Sequence, residues 1–195
     1  PEKVLGETRA WAAHTPAPHQ AVLRAIIAAA AWCDDTDNRD ELARMIASEH
    51  YVDVPLEAVQ PSMLGGLRWT QNGEVAERPD FMVFHRYAAN FPWVSHGRWF
   101  LQRMADAGQI DATDNDVLDF DAIAADVLKP ALYREAAAVL GLACPMIDHK
   151  PEGIHAEPWT LTQATRPIVM VSDRLLNDQT YLASPKSGGH APASS

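Results

Sequence analysis

From the first residues, apolar positions recur about every three to four places, the spacing of helices that lie on a core. Val4, Leu5, Ala10 and Trp11 share a face and predict a helix over residues 2–14. Thr15 followed by Pro16 reads as an N-cap with proline at the first helical position, where the missing N–H would have been unpaired anyway. That second helix carries Val22, Leu23, Ile26, Ile27 and the run Ala28 to Ala31 as far as about Trp32, and its small residues let another element come close. Two more follow: residues 39–48, burying Leu42, Met45 and Ile46, and a short helix from Pro55 with Leu56, Val59 and Met63, stopped at Gly65 and Gly66. Over residues 67–77 the rhythm changes, and Asn72-Gly73 at the centre is a strong two-residue turn signal, so a small hairpin is expected.

Residues 79–104, PDFMVFHRYAANFPWVSHGRWFLQRM, are the densest stretch. In their first half Phe81, Phe84, Tyr87, Phe91 and Trp93 surround His85, Arg86 and Asn90, and Pro92 forbids a helix interior, which makes an irregular aromatic loop. Ser95 reads as the N-cap of a helix that turns Trp99, Leu101 and Met104 to a core and ends near Gly108. An acidic connection, 111–119, leads to helices over 120–128 and 130–140, divided at Pro130 and closed by Gly141. From Leu142 onward the chain has six prolines and little periodicity. An extended run over the surface of something larger is expected there, with one short strand at 168–171. The organisation is thus a helical part over 1–141, a wrapping tail over 142–183 and a disordered end over 184–195, rich in Ser, Gly, Pro and Ala.

With 195 residues, 47% of them hydrophobic, the chain can bury a sizeable core. Its longest apolar run, Ala25 to Cys33, is far too short to span a membrane. A formal charge of −10, with the 16 Lys and Arg scattered, argues against direct nucleic-acid binding. Cys33 and Cys144 stand alone, which supports neither a zinc site nor a disulfide framework and leaves the redox compartment open. The first residue is Pro rather than Met and a helical pattern is already under way, so a piece of a longer protein is expected.

Motifs of catalysis are missing: no G-x-S-x-G, no phosphate-binding glycine loop, no H-E-x-x-H, no C-x-x-C. No two of the eight histidines sit four apart on one expected helix, and neither a metal nor a cofactor is expected. Asp34, Asp35, Asp37 and Asp40 crowd a turn and a helix start, where carboxylates complement the dipole; the spacing lacks the Gly and terminal Glu of an EF-hand, so capping and solvation are the reading. The aromatic loop suits a ligand wall, but a plug over a core is the commoner use of such rings. Within it, His85 and Arg86 could meet a desolvated anion; pairing of Arg86 with a carboxylate such as Asp80 is the simpler expectation. His149, Lys150 and Glu152 read as surface. Lys3, in the first turn of a helix, opposes the dipole, so it points away or serves something else.

Five segments, PEKVLGETRAW, WCDDTDNRDELA, PDFMVFHRYAANFPWVSHGRWFLQRM, KPALYREAA and PEGIHAEPWTL, taken together and in order, resemble the C-terminal half of the nitrate- and bicarbonate-binding proteins of ABC transporters. The likeness runs from Pro1 to about Leu176. It implies an α/β class: the C-terminal half of a two-lobed, type II periplasmic-binding-protein-like fold, here mostly helical with a small hairpin and a long irregular tail. A small oxyanion (nitrate, nitrite or bicarbonate) would lie in the cleft between lobes, with no catalysis. Lys3 is the position that matches a ligand lysine of nitrate-binding relatives, the other ligands belonging to the N-terminal half. The implied partner is an ABC transporter membrane permease, and the implied place is the periplasm or the outer side of the inner membrane. A second reading from the same resemblance is a cytosolic nitrate sensor that sequesters an RNA-binding antitermination regulator. A third, from the residues alone, is a helical enzyme with an aromatic pocket centred on His85.

Overall fold

A computed structural model describes residues 4–68, 70, 72–110, 118–173 and 179–181. The chain divides into two compact units, Pro1–Asn90 and Phe91–Ser195. Lys3, most of the acidic connection and the expected disordered end lie outside the described residues.

The first unit runs α1 (Arg9–His14), α2 (Pro16–Asp34), a 3-10 turn (Thr36–Asn38), α3 (Arg39–Ala47), α4 (Leu56–Leu64), β1 (Gly66–Arg68) and β2 (Val75–Glu77). α1 is shorter than its apolar pattern. Residues 4–8 are not helical, Gly6 favours coil, and Thr8 supplies a cap by accepting the Trp11 N–H at 3.2 Å. Thr15 does not cap α2 with its side chain; its hydroxyl donates instead to the Trp11 carbonyl at 2.7 Å, closing α1. Pro16 does begin α2, as expected.

α3 packs on α4 around Leu42, Ala43 and Met63, joined by Trp32, Cys33, Ile46, Leu56, Val59, Met82 and Phe84. Met45, expected in this core, is exposed. α4 ends at Gly65 with φ +82, where a side chain is barred twice over: by the left-handed backbone and by the Arg78 carbonyl 2.8 Å from any Cβ. That approach brings the chain back as the hairpin, paired Gly66 to Glu77, Leu67 to Ala76 and Arg68 to Val75. Asn72-Gly73 is not a two-residue turn between the paired strands: β1 ends at Arg68 and β2 begins at Val75, and the Gly73 N–H returns to the Thr70 carbonyl at 3.0 Å within that longer connection.

The second unit holds α5 (Val94–Asp106), α6 (Phe120–Val127), α7 (Pro130–Leu140), β3 (Trp159–Leu161) and β4 (Ile168–Met170). Phe91 packs edge-on to Trp93 (4.7 Å between centroids) and to Tyr133 of α7 (5.2 Å), and all three rings are buried. This end of the aromatic loop is core, as the plug reading had it. α5 lies on α6 so closely that a Cβ on Gly97 would stand 3.0 Å from Ala124 Cβ. Trp99 and Met104, expected to face the core, each remain 39% exposed.

Ser95 is not an N-cap. It lies inside α5 and is fully buried; the Val94 N–H is satisfied by the distant Asp148 carbonyl at 2.9 Å, and no side chain caps the helix. After Gly141 the chain buries Cys144 and Pro145, bridges Pro145 to Ala164 and Glu152 to Tyr181, and forms a second hairpin, with Trp159 opposite Met170 and Leu161 opposite Ile168. The strand expected at 168–171 is one side of it. Its partner carries Trp159, Thr160 and Leu161, three residues too few to announce a period.

Candidate functional site

In the first unit the polar centre of the aromatic loop is Asp34, the last residue of α2. One carboxylate oxygen accepts the successive N–H groups of Phe84, His85 and Arg86 at 3.0, 2.5 and 2.7 Å. The other lies 2.7 Å from Arg39 Nη2. Both side chains are about 95% buried, so each charge depends on the other for solvation. Arg39 also donates to the carbonyls of Met63 and Met82 and lies over the Phe84 ring, 5.1 Å from its centroid. Capping and solvation therefore describe Asp35, whose carboxylate accepts the Asp37 N–H, but not Asp34, which pins a loop fifty residues away.

Arg86 pairs with Asp80 at 3.3 Å and donates to the Pro79 and Met82 carbonyls, which is the simpler of the two expectations for it. Asp80 also accepts from the Tyr87 hydroxyl, whose pKa is raised by burial and by that bond. His85 Nδ1 is buried with no hydrogen-bond partner among the described residues. The loop is held from behind by its amides.

A second polar centre lies in the second unit, where the sequence suggested only surface. Lys150 is buried, ion-paired with Glu152, and 5.6 Å from the centre of the Trp93 ring. Glu152 Oε1 also stands 2.6 Å from His96 Nε2, and the Lys150 N–H reaches the Ser95 hydroxyl at 3.3 Å. Burial pushes the Glu152 carboxyl up, but the hydrogen bonds from His96 and Lys150, with the lysine's charge, outweigh that and hold it below the usual glutamate range. Beyond it, Asp173 accepts the Gly153 and His155 amides and lies 2.7 Å from His155 Nδ1, while the His155 ring stacks on Trp159 at 3.9 Å. Asp173 is likewise lowered on balance, the pull of His155 outweighing burial. These bonds turn α5 and the segment after Asp148 into one packed body, and among the described residues no cluster suited to a metal ion occurs.

The comparisons bear on what such a body belongs to. Residues 1–47 match the NMT1-like family. Over 141 residues, 72% of the chain, it is 34% identical to the nitrate import ATP-binding protein NrtC of Synechocystis and 32% identical to the nitrate/nitrite binding protein NrtA of Synechococcus elongatus. It covers only 20% and 31% of those two proteins. The crystal structure of the periplasmic nitrate-binding protein NrtA from Synechocystis superposes on 67% of the chain with a TM-score of 0.60 and 28% identity. In sequence and in fold the chain is thus similar to a part of the nitrate- and bicarbonate-binding proteins.

It spans about a third of that solved NrtA chain, and its fold is part of a type II periplasmic-binding-protein fold, mostly helical with small antiparallel sheets. Lys3, matched by resemblance to a ligand of this family, falls within the NMT1-like stretch but outside the described residues. The two ionic centres were missed for one reason: Asp34 meets its amides, and Ser95 meets Lys150, across some fifty residues of sequence. The available signals were charged residues in unusual places, Lys150 and Glu152 on either side of Pro151 and Asp34 after the apolar run of α2.

Proposed function

We propose that the chain is the C-terminal part of the substrate-binding component of an ABC-type uptake system for nitrate or nitrite, or for bicarbonate. It holds a small oxyanion in the cleft between two lobes and does no chemistry on it. The observation that carries this reading is the 28% identity to a periplasmic nitrate-binding protein across a superposition of 67% of the chain. Relatives named for nitrate import and for bicarbonate transport support the same class of ligand and an ABC partner, here a membrane permease. Apolar side chains left on the surface, Val22 and Ile26 of α2 and Val139 of α7 among them, suit a part that a larger body covers. Because the relatives are named for import, transport from the periplasmic side stands ahead of cytosolic sensing.

In this reading Lys3 lends the cleft wall a charge-assisted hydrogen bond to the planar anion, and closure of the lobes completes the remaining contacts. Isothermal titration of the full-length protein with nitrate, nitrite and bicarbonate, the last with and without calcium, tests it directly. Saturable micromolar binding of one anion supports the receptor and names its ligand; no heat with any of them removes it. Lys3→Ala is expected to weaken that binding at least tenfold, about 1.4 kcal/mol; an unchanged affinity takes Lys3 out of the site.

A further inference from the structure

We propose that a groove in the second unit, walled by Arg134 and Arg166, binds a small organic carboxylate with a compact apolar body. The groove encloses about 300 Å³ and is lined by Arg134, Ala138, Gly141, Leu142, Cys144, Thr165 and Arg166. That volume is at the small end of ligand sites and far exceeds what a four-atom oxyanion needs.

Charge is the first argument. The chain as a whole carries −10, yet this lining holds two guanidinium groups and no carboxylate. Asp148 pairs with Arg134 from outside the lining, which leaves the charge of Arg166, unpaired among the described residues, to favour an anion against the sign of the whole molecule.

Preorganisation is the second. Arg134 is fixed by Nε to the Pro145 carbonyl at 2.8 Å and by Nη2 to Asp148 at 2.6 Å, with Cζ 5.3 Å from the centre of the Phe91 ring. Arg166 is fixed by Nη2 alone, to the Gly141 carbonyl at 2.6 Å. Nη1 of Arg134 and both Nη1 and Nε of Arg166 have no acceptor among the described residues. Arg134, held by two bonds, and the exposed Arg166, tied by one, both have N–H groups to spare for the two oxygens of a carboxylate.

The floor is the third. Ala138, Leu142 and the buried Cys144 offer carbon and a neutral thiol, since burial pushes the Cys144 pKa up to about 11. An apolar body belongs there, and a hydrated inorganic anion gains nothing from it. The groove does not involve Lys3, so the proposal stands whether or not the oxyanion reading does.

The test is titration of the full-length protein with benzoate in the presence of saturating nitrate, with benzyl alcohol as the uncharged control. Saturable benzoate binding is expected, at least tenfold weaker in Arg166→Gln and abolished when Ala138→Trp fills the groove, with both variants checked for folding by circular dichroism. Ala138 is exposed, so the second variant decides if the first fails to fold. The proposal is overturned by no saturable heat, by benzyl alcohol binding as well as benzoate, by displacement of benzoate by nitrate, or by unchanged affinity in the folded variants.

Discussion

Asp34 shows what a single carboxylate can do when its partners are backbone amides. Its oxygens face three N–H groups and a buried guanidinium, so Asp34→Asn removes the charge that solvates Arg39 while leaving the size unchanged. A loss of about 3 to 5 kcal/mol is expected in urea unfolding, the usual result of breaking a buried pair on one side. Asp35→Ala, one residue on, removes only a turn cap and is expected to lose about 1 kcal/mol. Equal losses in the two variants would refute the assignment. Glu152 gives the pH counterpart. Burial opposes its charge, yet His96 and Lys150 hold its pKa below the ordinary value, so it stabilises the fold above the unfolded value of about 4.3 and that contribution is lost as pH falls through the folded value. Glu152→Gln should therefore lower Tm at pH 7, and the gap to the parent should narrow from about pH 4.5 downward; a constant gap would place the stabilisation elsewhere.

At the scale of elements, the spans of most helices were legible, while the starts of α1 and α5 and the choice of which apolar residues are covered were not. The spans of α2, α3 and α7 and the stops at Gly65 and Gly141 agree with the structure to within about two residues. Ser95 misled because a capping serine and a buried helical serine look alike in sequence, and what separates them is Asp148 and Lys150 more than fifty residues on. Met45, Trp99 and Met104 show the converse: periodicity marks a face as apolar without saying whether anything in the same unit covers it. Gly97 is where α5 and α6 set their own terms. Glycine to alanine inside a helix ordinarily stabilises by about 1 kcal/mol. Here the added carbon meets Leu128, which can rotate away, and Ala124 Cβ, which cannot. Gly97→Ala is expected to destabilise by roughly 1 to 3 kcal/mol, read from thermal or urea unfolding; a stabilised variant would show that α6 has room to shift.

At the scale of the molecule, the likeness to nitrate- and bicarbonate-binding proteins was readable because five segments keep their order, a signal that survives when no single motif is diagnostic. The candidate site was readable only in part. The expected ligand lysine lies outside the described residues, and the ionic centres depend on long-range closure that no local pattern encodes. The aromatic loop was judged correctly as a plug at its end: Trp93 is 2% exposed and wedged against Phe91. Trp93→Ala should lower stability by about 3 to 5 kcal/mol while leaving anion affinity intact in whatever remains folded, and a stable variant that no longer binds would return the loop to the ligand. The bridge between Glu152 and Tyr181 has a consequence of another kind, in how load passes along the chain. The two residues exchange both main-chain hydrogen bonds, at 2.9 and 2.8 Å, and a Cβ on the adjacent Gly153 would collide with the Gln179 carbonyl. Tension arriving from the C-terminal side is thus taken up across that clasp before it reaches the second hairpin. It is delivered to Glu152, the residue that holds His96 and Lys150, so the ion cluster beneath α5 is the anchorage of the whole segment.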